Sequence, residues 1–171
     1  AGVAPGSLVL SGDSAGGGLV LVALQRMRDQ KLPLPACAVA ISPLTNFSFD
    51  GPSFTENADA PVLGRDAVGG FSLLYATGVD LRNPPAALVP ARAESLTGLA
   101  PAYIAVAGYD PLRDDGAKYA ELLTAAGVPV TLSNEPTMIH GYISLALVSP
   151  VAAEAFDRGL AALNRALHPG V

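Results

Sequence analysis

Four short apolar runs, at residues 7–10, 36–41, 102–107 and 128–133, carry no charged residue, and longer stretches with helical spacing of apolar positions lie between them. Runs of this kind are strands covered on both faces, and strands separated by helices pair in parallel, because a crossover returns the chain to the same end of the sheet. The predicted fold class is α/β, a mostly parallel sheet flanked by helices. Polar or glycine-rich residues follow each run, at the end of the sheet where such folds build their sites.

The spacing predicts a helix over 15–30, with Leu19, Val22, Ala23 and Met27 on one face, and another over 116–126, with Tyr119, Leu122 and Leu123 inward and Gly127 as its stop. A last helix is predicted to be capped by Ser149, with Pro150 in its first turn and Phe156, Leu160, Leu163 and Leu167 as its apolar stripe. Between residues 45 and 99 the pattern loosens into Pro, Gly and Asn clusters around a helix predicted at 66–76. A long excursion between two strands is where an α/β protein holds a ligand-facing loop.

The first run leads into Gly12-Asp13-Ser14-Ala15-Gly16-Gly17 and then directly into a helix. Gly-x-Ser-x-Gly at a strand-to-helix junction is the frame of a nucleophile elbow, in which a sharp turn lifts the serine hydroxyl above the sheet. Gly12 and Gly16 are expected there because the turn leaves no room for a Cβ. An alkyl hydroxyl is a poor nucleophile at neutral pH, so a base has to take its proton and a third group has to orient the base. Two histidines are present. His168 ends the last helix, where an imidazole complements the helix dipole, whereas His140, in Met138-Ile139-His140-Gly141-Tyr142, sits in a loop after the last strand and is the candidate base. Asp110, at the end of the third strand, is the candidate acid, with Asp114 the alternative; Asp114 or Asp115 is expected to cap the helix that follows.

Gly12-Asp13-Ser14-Ala15-Gly16-Gly17, Asp110-Pro111-Leu112-Arg113-Asp114-Asp115-Gly116 and the segment around His140, in this order, resemble the hormone-sensitive-lipase-like family of α/β-hydrolases, the microbial carboxylesterases. Residues 53–63 and 121–132 are also similar to that family's intervening and late segments. The resemblance implies a serine esterase acting on short- to medium-chain acyl esters, with Ser14 as nucleophile, Asp110 as acid, His140 as base and the Ala15 N–H as one oxyanion donor, and with no cofactor or metal. Its rate should rise with pH as His140 loses its proton. An amidase or peptidase reaction would use the same three groups, and plant gibberellin receptors resemble the family while lacking the histidine, so a small-molecule binder is the non-catalytic alternative. Chymotrypsin-like proteases carry a similar Gly-Asp-Ser-Gly-Gly, but they are all-β and place His and Asp before Ser.

The chain departs from the family at Gly18, where Asn is common, and at Thr137, where Gly is common. The family's His-Gly-Gly-Gly oxyanion loop, cap and first strands precede the serine, while thirteen residues do so here. Residues 1–171 are therefore expected to be one partial catalytic domain, nearly inactive alone, since each missing oxyanion donor costs on the order of 100- to 1000-fold. The first strand would then be an open edge, inviting a missing N-terminal part or a second copy. Only 15% of residues are charged against about 25% in ordinary domains, which agrees with surface awaiting a cover.

A formal charge of -5, with ten scattered Lys and Arg, argues against nucleic acid. Residues 32–49 are charge-free but hold Pro33, Pro35 and Pro43, so no membrane anchor is expected. Cys37, the one cysteine, reads as a packed core thiol. The chain begins with neither an initiating Met nor a signal-peptide pattern, so its true N-terminus is expected to lie upstream, and with that N-terminus absent a cytoplasmic location is the working expectation.

Overall fold

The computed structural model describes residues 2–168. Its sheet has four parallel strands in spatial order β1 (Val9–Asp13), β2 (Cys37–Ile41), β3 (Ala102–Tyr109) and β4 (Val130–Ile139). The helices are α1 (Ala15–Asp29), α2 (Pro52–Glu56), α3 (Arg65–Tyr75), α4 (Arg113–Ala125) and α5 (Pro150–Leu167). Alternation along the strands divides the core in two. Ala38 and Ala40 of β2 with Ile104 and Val106 of β3 pack against Leu21 and Leu24 of α1 and Tyr119 and Leu123 of α4. Cys37, Val39, Ile41, Tyr103, Ala105 and Ala107 face α5 on the other side, so Cys37 is a buried core thiol.

Several expectations shift. The first strand runs over Val9–Asp13 rather than 7–10, because residues 5–7 form a 3-10 turn opened by Pro5. The fourth strand continues six residues past its expected end at 133. Pro136 interrupts nothing there, since β4 is an edge strand and the ladder breaks register between Ala107 and Tyr109. At that break a Cβ on Gly108 would overlap the Pro136 carbonyl, so a side chain at this position would push the two strands apart.

Helix α1 turns inward on Leu21, Leu24 and Gln25 rather than on Leu19 and Met27. The reason is polar: buried Gln25 donates to the Pro90 carbonyl (2.8 Å) and the Tyr119 hydroxyl (3.0 Å), which fixes the helix's rotation and leaves Leu19 half exposed. Helix α5 begins as expected, the Ser149 hydroxyl accepting from the Ala152 N–H. Its buried face, however, is Ala152, Ala155, Gly159 and Ala162, while Phe156 and Leu160 are 39% and 45% exposed. Small residues let the helix lie close on the Tyr103 ring, which large ones would hold away. The ion pair of exposed Arg158 with buried Glu135 ties α5 to β4.

Asp114 and Asp115 do not cap α4. The helix starts at Arg113, one turn earlier than periodicity implied, and both carboxylates reach into the long excursion: Asp114 accepts from the Ser53 N–H (2.7 Å), Asp115 from the N–H groups of Thr45 (3.3 Å) and Asn46 (3.1 Å). Gly127 stops the helix at φ +73°, as expected. Among the described residues no helix is long and apolar enough to cross a membrane.

Candidate active site

Ser14, Asp110 and His140 each stand one residue beyond a parallel strand, after β1, β3 and β4. All strands point the same way, so the three loop starts converge at one end of the sheet. Ser14 has φ 58° and ψ -123°, a strained positive-φ conformation that costs a serine on the order of 1–3 kcal/mol and is held by its surroundings. Its N–H donates to the Ile41 carbonyl (2.8 Å), and a Cβ on Gly12 would overlap the Gly16 carbonyl, so Gly12 is required for the turn. Gly16 is not required on the same ground: a Cβ there would meet nothing within 4 Å. The close approaches lie further on, at Gly17 against Pro43 and at Gly18 against the Leu44 carbonyl, which explains why Gly18 carries no side chain here.

His140 is 7% exposed, and its Nε2 lies 2.8 Å from Ser14 Oγ. Its Nδ1 lies 2.7 Å from Oδ2 of Asp110, which is fully buried. A carboxylate only accepts, so Nδ1 carries the hydrogen and Nε2 is left to accept from the serine hydroxyl. The other Asp110 oxygen accepts from the Leu112 N–H (2.8 Å), completing the requirement of a buried charge. His168 is exposed at the end of α5 and joins none of this. Sequence reasoning missed the Leu112 donor and the strapping roles of Asp114 and Asp115, since backbone donors and loop ties leave no mark in spacing.

Ala15 opens α1, where the first N–H groups have no acceptor within the helix and point toward the serine end. Next to it an apolar cleft of about 280 Å³ runs between Leu19, Leu44, Phe71, Tyr75 and Leu88. Of the nearby phenylalanines, Phe47 and Phe54 are core, Phe49 packs on Phe54, and Phe71, 64% exposed, borders the cleft.

Burial, partly offset by His140, raises the Asp13 carboxyl above its ordinary range, and its Oδ1 has no partner among the described residues. Asp114 is held below that range by Arg113 and Ser53, against the effect of its burial. Burial pushes Asp115 up to about 7, against its two backbone donors. The native state therefore keeps a proton that the unfolded chain loses near pH 4, and stability falls as pH rises from about 4 to about 7. Asp115→Asn keeps an acceptor for Thr45 and Asn46 and removes this slope. The variant and parent should denature alike near pH 4, and the variant should be more stable at pH 8 by a few kcal/mol, at about 1.4 kcal/mol per unit of displacement. Equal urea midpoints at pH 8 would count against a raised Asp115 carboxyl.

Comparison with known proteins places these features. A family model described as alpha/beta hydrolase fold matches residues 1–144. "Esterase LipI" of Mycobacterium tuberculosis is 52% identical over 163 residues, covering 95% of this chain and 51% of its own. "Carboxylesterase NlhH" of the same organism is 53% identical over 167 residues, covering 96% and 52%. Among solved structures, DphMB1 superposes with a TM-score of 0.90 at 56% identity (93% of this chain, 52% of that one). A bacterial heroin esterase does so with 0.87 at 30% identity (98% and 54%). The chain spans about half the length of the curated relatives it matches.

Proposed function

This chain belongs to the alpha/beta hydrolase fold family, in its hormone-sensitive-lipase-like branch, and from that premise we propose that the protein is a serine carboxylesterase cleaving short- to medium-chain acyl esters. Residues 1–171 act as one part of its catalytic domain. The observation that supports this reading most is the unbroken chain of hydrogen bonds from Ser14 Oγ through His140 to Asp110.

In the reaction, Ser14 Oγ attacks the ester carbonyl carbon as its proton passes to His140 Nε2. Asp110 holds the ring and stabilises the imidazolium. The carbonyl oxygen becomes an oxyanion, to which the Ala15 N–H donates, together with donors from outside these residues. Collapse breaks the bond to the alkoxy oxygen, which leaves with the His140 proton, and an acyl-serine remains. Water then attacks that ester with His140 again as base, releasing the acid and restoring Ser14. The cleft beside Ala15 is apolar and small, which supports a short to medium hydrocarbon group in the substrate. Sheet pairing at the open edge of β1 completes the domain in this reading.

A fluorophosphonate probe tests the proposal in the whole protein. The expected result is a single adduct on Ser14, localised by peptide mass and prevented by Ser14→Ala. An unlabelled Ser14 in folded protein would favour a binder instead.

A further inference from the structure

The Asp110 carboxylate is useful only if the turn that carries it stays put, and Asp110 lies one residue beyond the last sheet pair, Tyr109 with Ile139. Pairing of β2 with β3 ends at Ile41 and Ala105, and the β3–β4 ladder slips register between Ala107 and Tyr109. The carbonyls of Gly108 and Asp110 thus flank Tyr109, the last paired residue of β3, beside the slip in the ladder, and carbonyls withdrawn from water need donors. The Asp110 oxygen takes one from the Arg113 N–H (3.1 Å), and Asn57, 7% exposed and just past α2, adds a further donor to each carbonyl: its side-chain Nδ2 lies 3.2 Å from the Gly108 oxygen and 3.2 Å from the Asp110 oxygen. One amide nitrogen thereby bridges both sides of Tyr109. Arg113 adds a second grip, its Nη1 on the same Gly108 oxygen (3.3 Å) and its Nη2 on Glu56 (2.7 Å), the residue before Asn57.

We infer that Asn57 is a positioning residue for the acid of the triad, fixing the Asp110 turn by bridging the Gly108 and Asp110 carbonyls from the far side of the excursion. The inference rests on the triad reading above. Only a short side chain with two N–H groups on one atom makes this bridge: an Asp carboxylate only accepts, and Ala has neither donor nor acceptor. Without it the carboxylate drifts relative to His140, and misplacement of that order costs turnover rather than substrate binding.

The test measures hydrolysis of p-nitrophenyl butyrate by the whole protein, with active sites counted from the pre-steady-state burst. Asn57→Ala should lower kcat per titrated site by about 10- to 100-fold with KM little changed. Because Asn57 acts through Asp110, the same substitution in an Asp110→Asn background should cost less than about twofold, a coupling seen in a double-mutant cycle. If Asn57→Ala does not accumulate as folded protein, Asn57→Ser, which keeps a single donor, replaces it with the same expectations. A purely structural role would lower the number of titrated sites while leaving the rate per site intact, and that result overturns the inference. So does an equal loss in both backgrounds. Failure of Ser14 to label in the unsubstituted protein overturns the triad reading and this inference with it, whereas normal labelling with an unchanged rate per site overturns this inference alone.

Discussion

Ser14→Ala and His140→Ala should each lower kcat by about a hundred thousand- to a million-fold, and the double substitution should cost no more than the worse single. The reason lies in the 2.8 Å contact between Oγ and Nε2. Without the imidazole the serine hydroxyl keeps its proton, and without the hydroxyl the imidazole has only water to activate, so either loss removes the same step. The two variants differ in stability, which provides a control. Ser14 is half-buried and its loss leaves no buried charge. His140 covers the fully buried Asp110 carboxylate, and stripping a partner from a buried charge costs on the order of 3–5 kcal/mol. His140→Ala should therefore unfold at a distinctly lower temperature than Ser14→Ala while being no less active. Losses that add in the double variant would mean that the two groups act independently.

The architecture and the three converging residues were legible because both depend on short-range patterns. Charge-free runs mark doubly covered strands, and the small residues around Ser14 mark a turn too tight for a Cβ at Gly12. Ser14, Asp110 and His140 are separated by most of the chain, yet parallel pairing puts every strand end on one side, so an acid and a base placed after strands are brought to the serine by topology alone.

What the sequence hid depends on tertiary partners. The rotation of α1 is set by Gln25 reaching Pro90 and Tyr119, and no periodicity of apolar residues announces a buried glutamine. On α5 Phe156 and Leu160, which look like part of a core stripe, lie at the margin, because Ala152, Ala155, Gly159 and Ala162 bring the helix close to Tyr103, whereas Leu163 of the same stripe packs against that core. Asp114 and Asp115 resemble caps in sequence, but their acceptors' partners are the N–H groups of residues sixty to seventy positions away. Asn57 is a single polar residue in a loop, and its meaning appears only once the β3–β4 ladder is seen to slip beside it.

Asp110→Asn should reduce kcat by about ten-thousand-fold with KM little affected, although it changes a single oxygen for an amide nitrogen. Oδ1 of Asp110 accepts from the Leu112 N–H at 2.8 Å, and Oδ2 faces His140 Nδ1 at 2.7 Å. An asparagine has one acceptor atom to share between these two places. With its oxygen on Leu112, its NH2 faces Nδ1, which must then give up its hydrogen and accept. The imidazole shifts to the tautomer with hydrogen on Nε2, the atom facing Ser14 Oγ, and a nitrogen that already holds a proton cannot take the serine's. The opposite orientation sets the NH2 against the Leu112 N–H, two donors within 3 Å in a site without exposure, and is rejected. Stopped-flow hydrolysis should show that both acylation and deacylation slow, since His140 serves each as base, while fold and substrate affinity persist. A loss smaller than about tenfold would mean that Asp110 does not govern the tautomer of His140, and the acid would then have to be sought elsewhere.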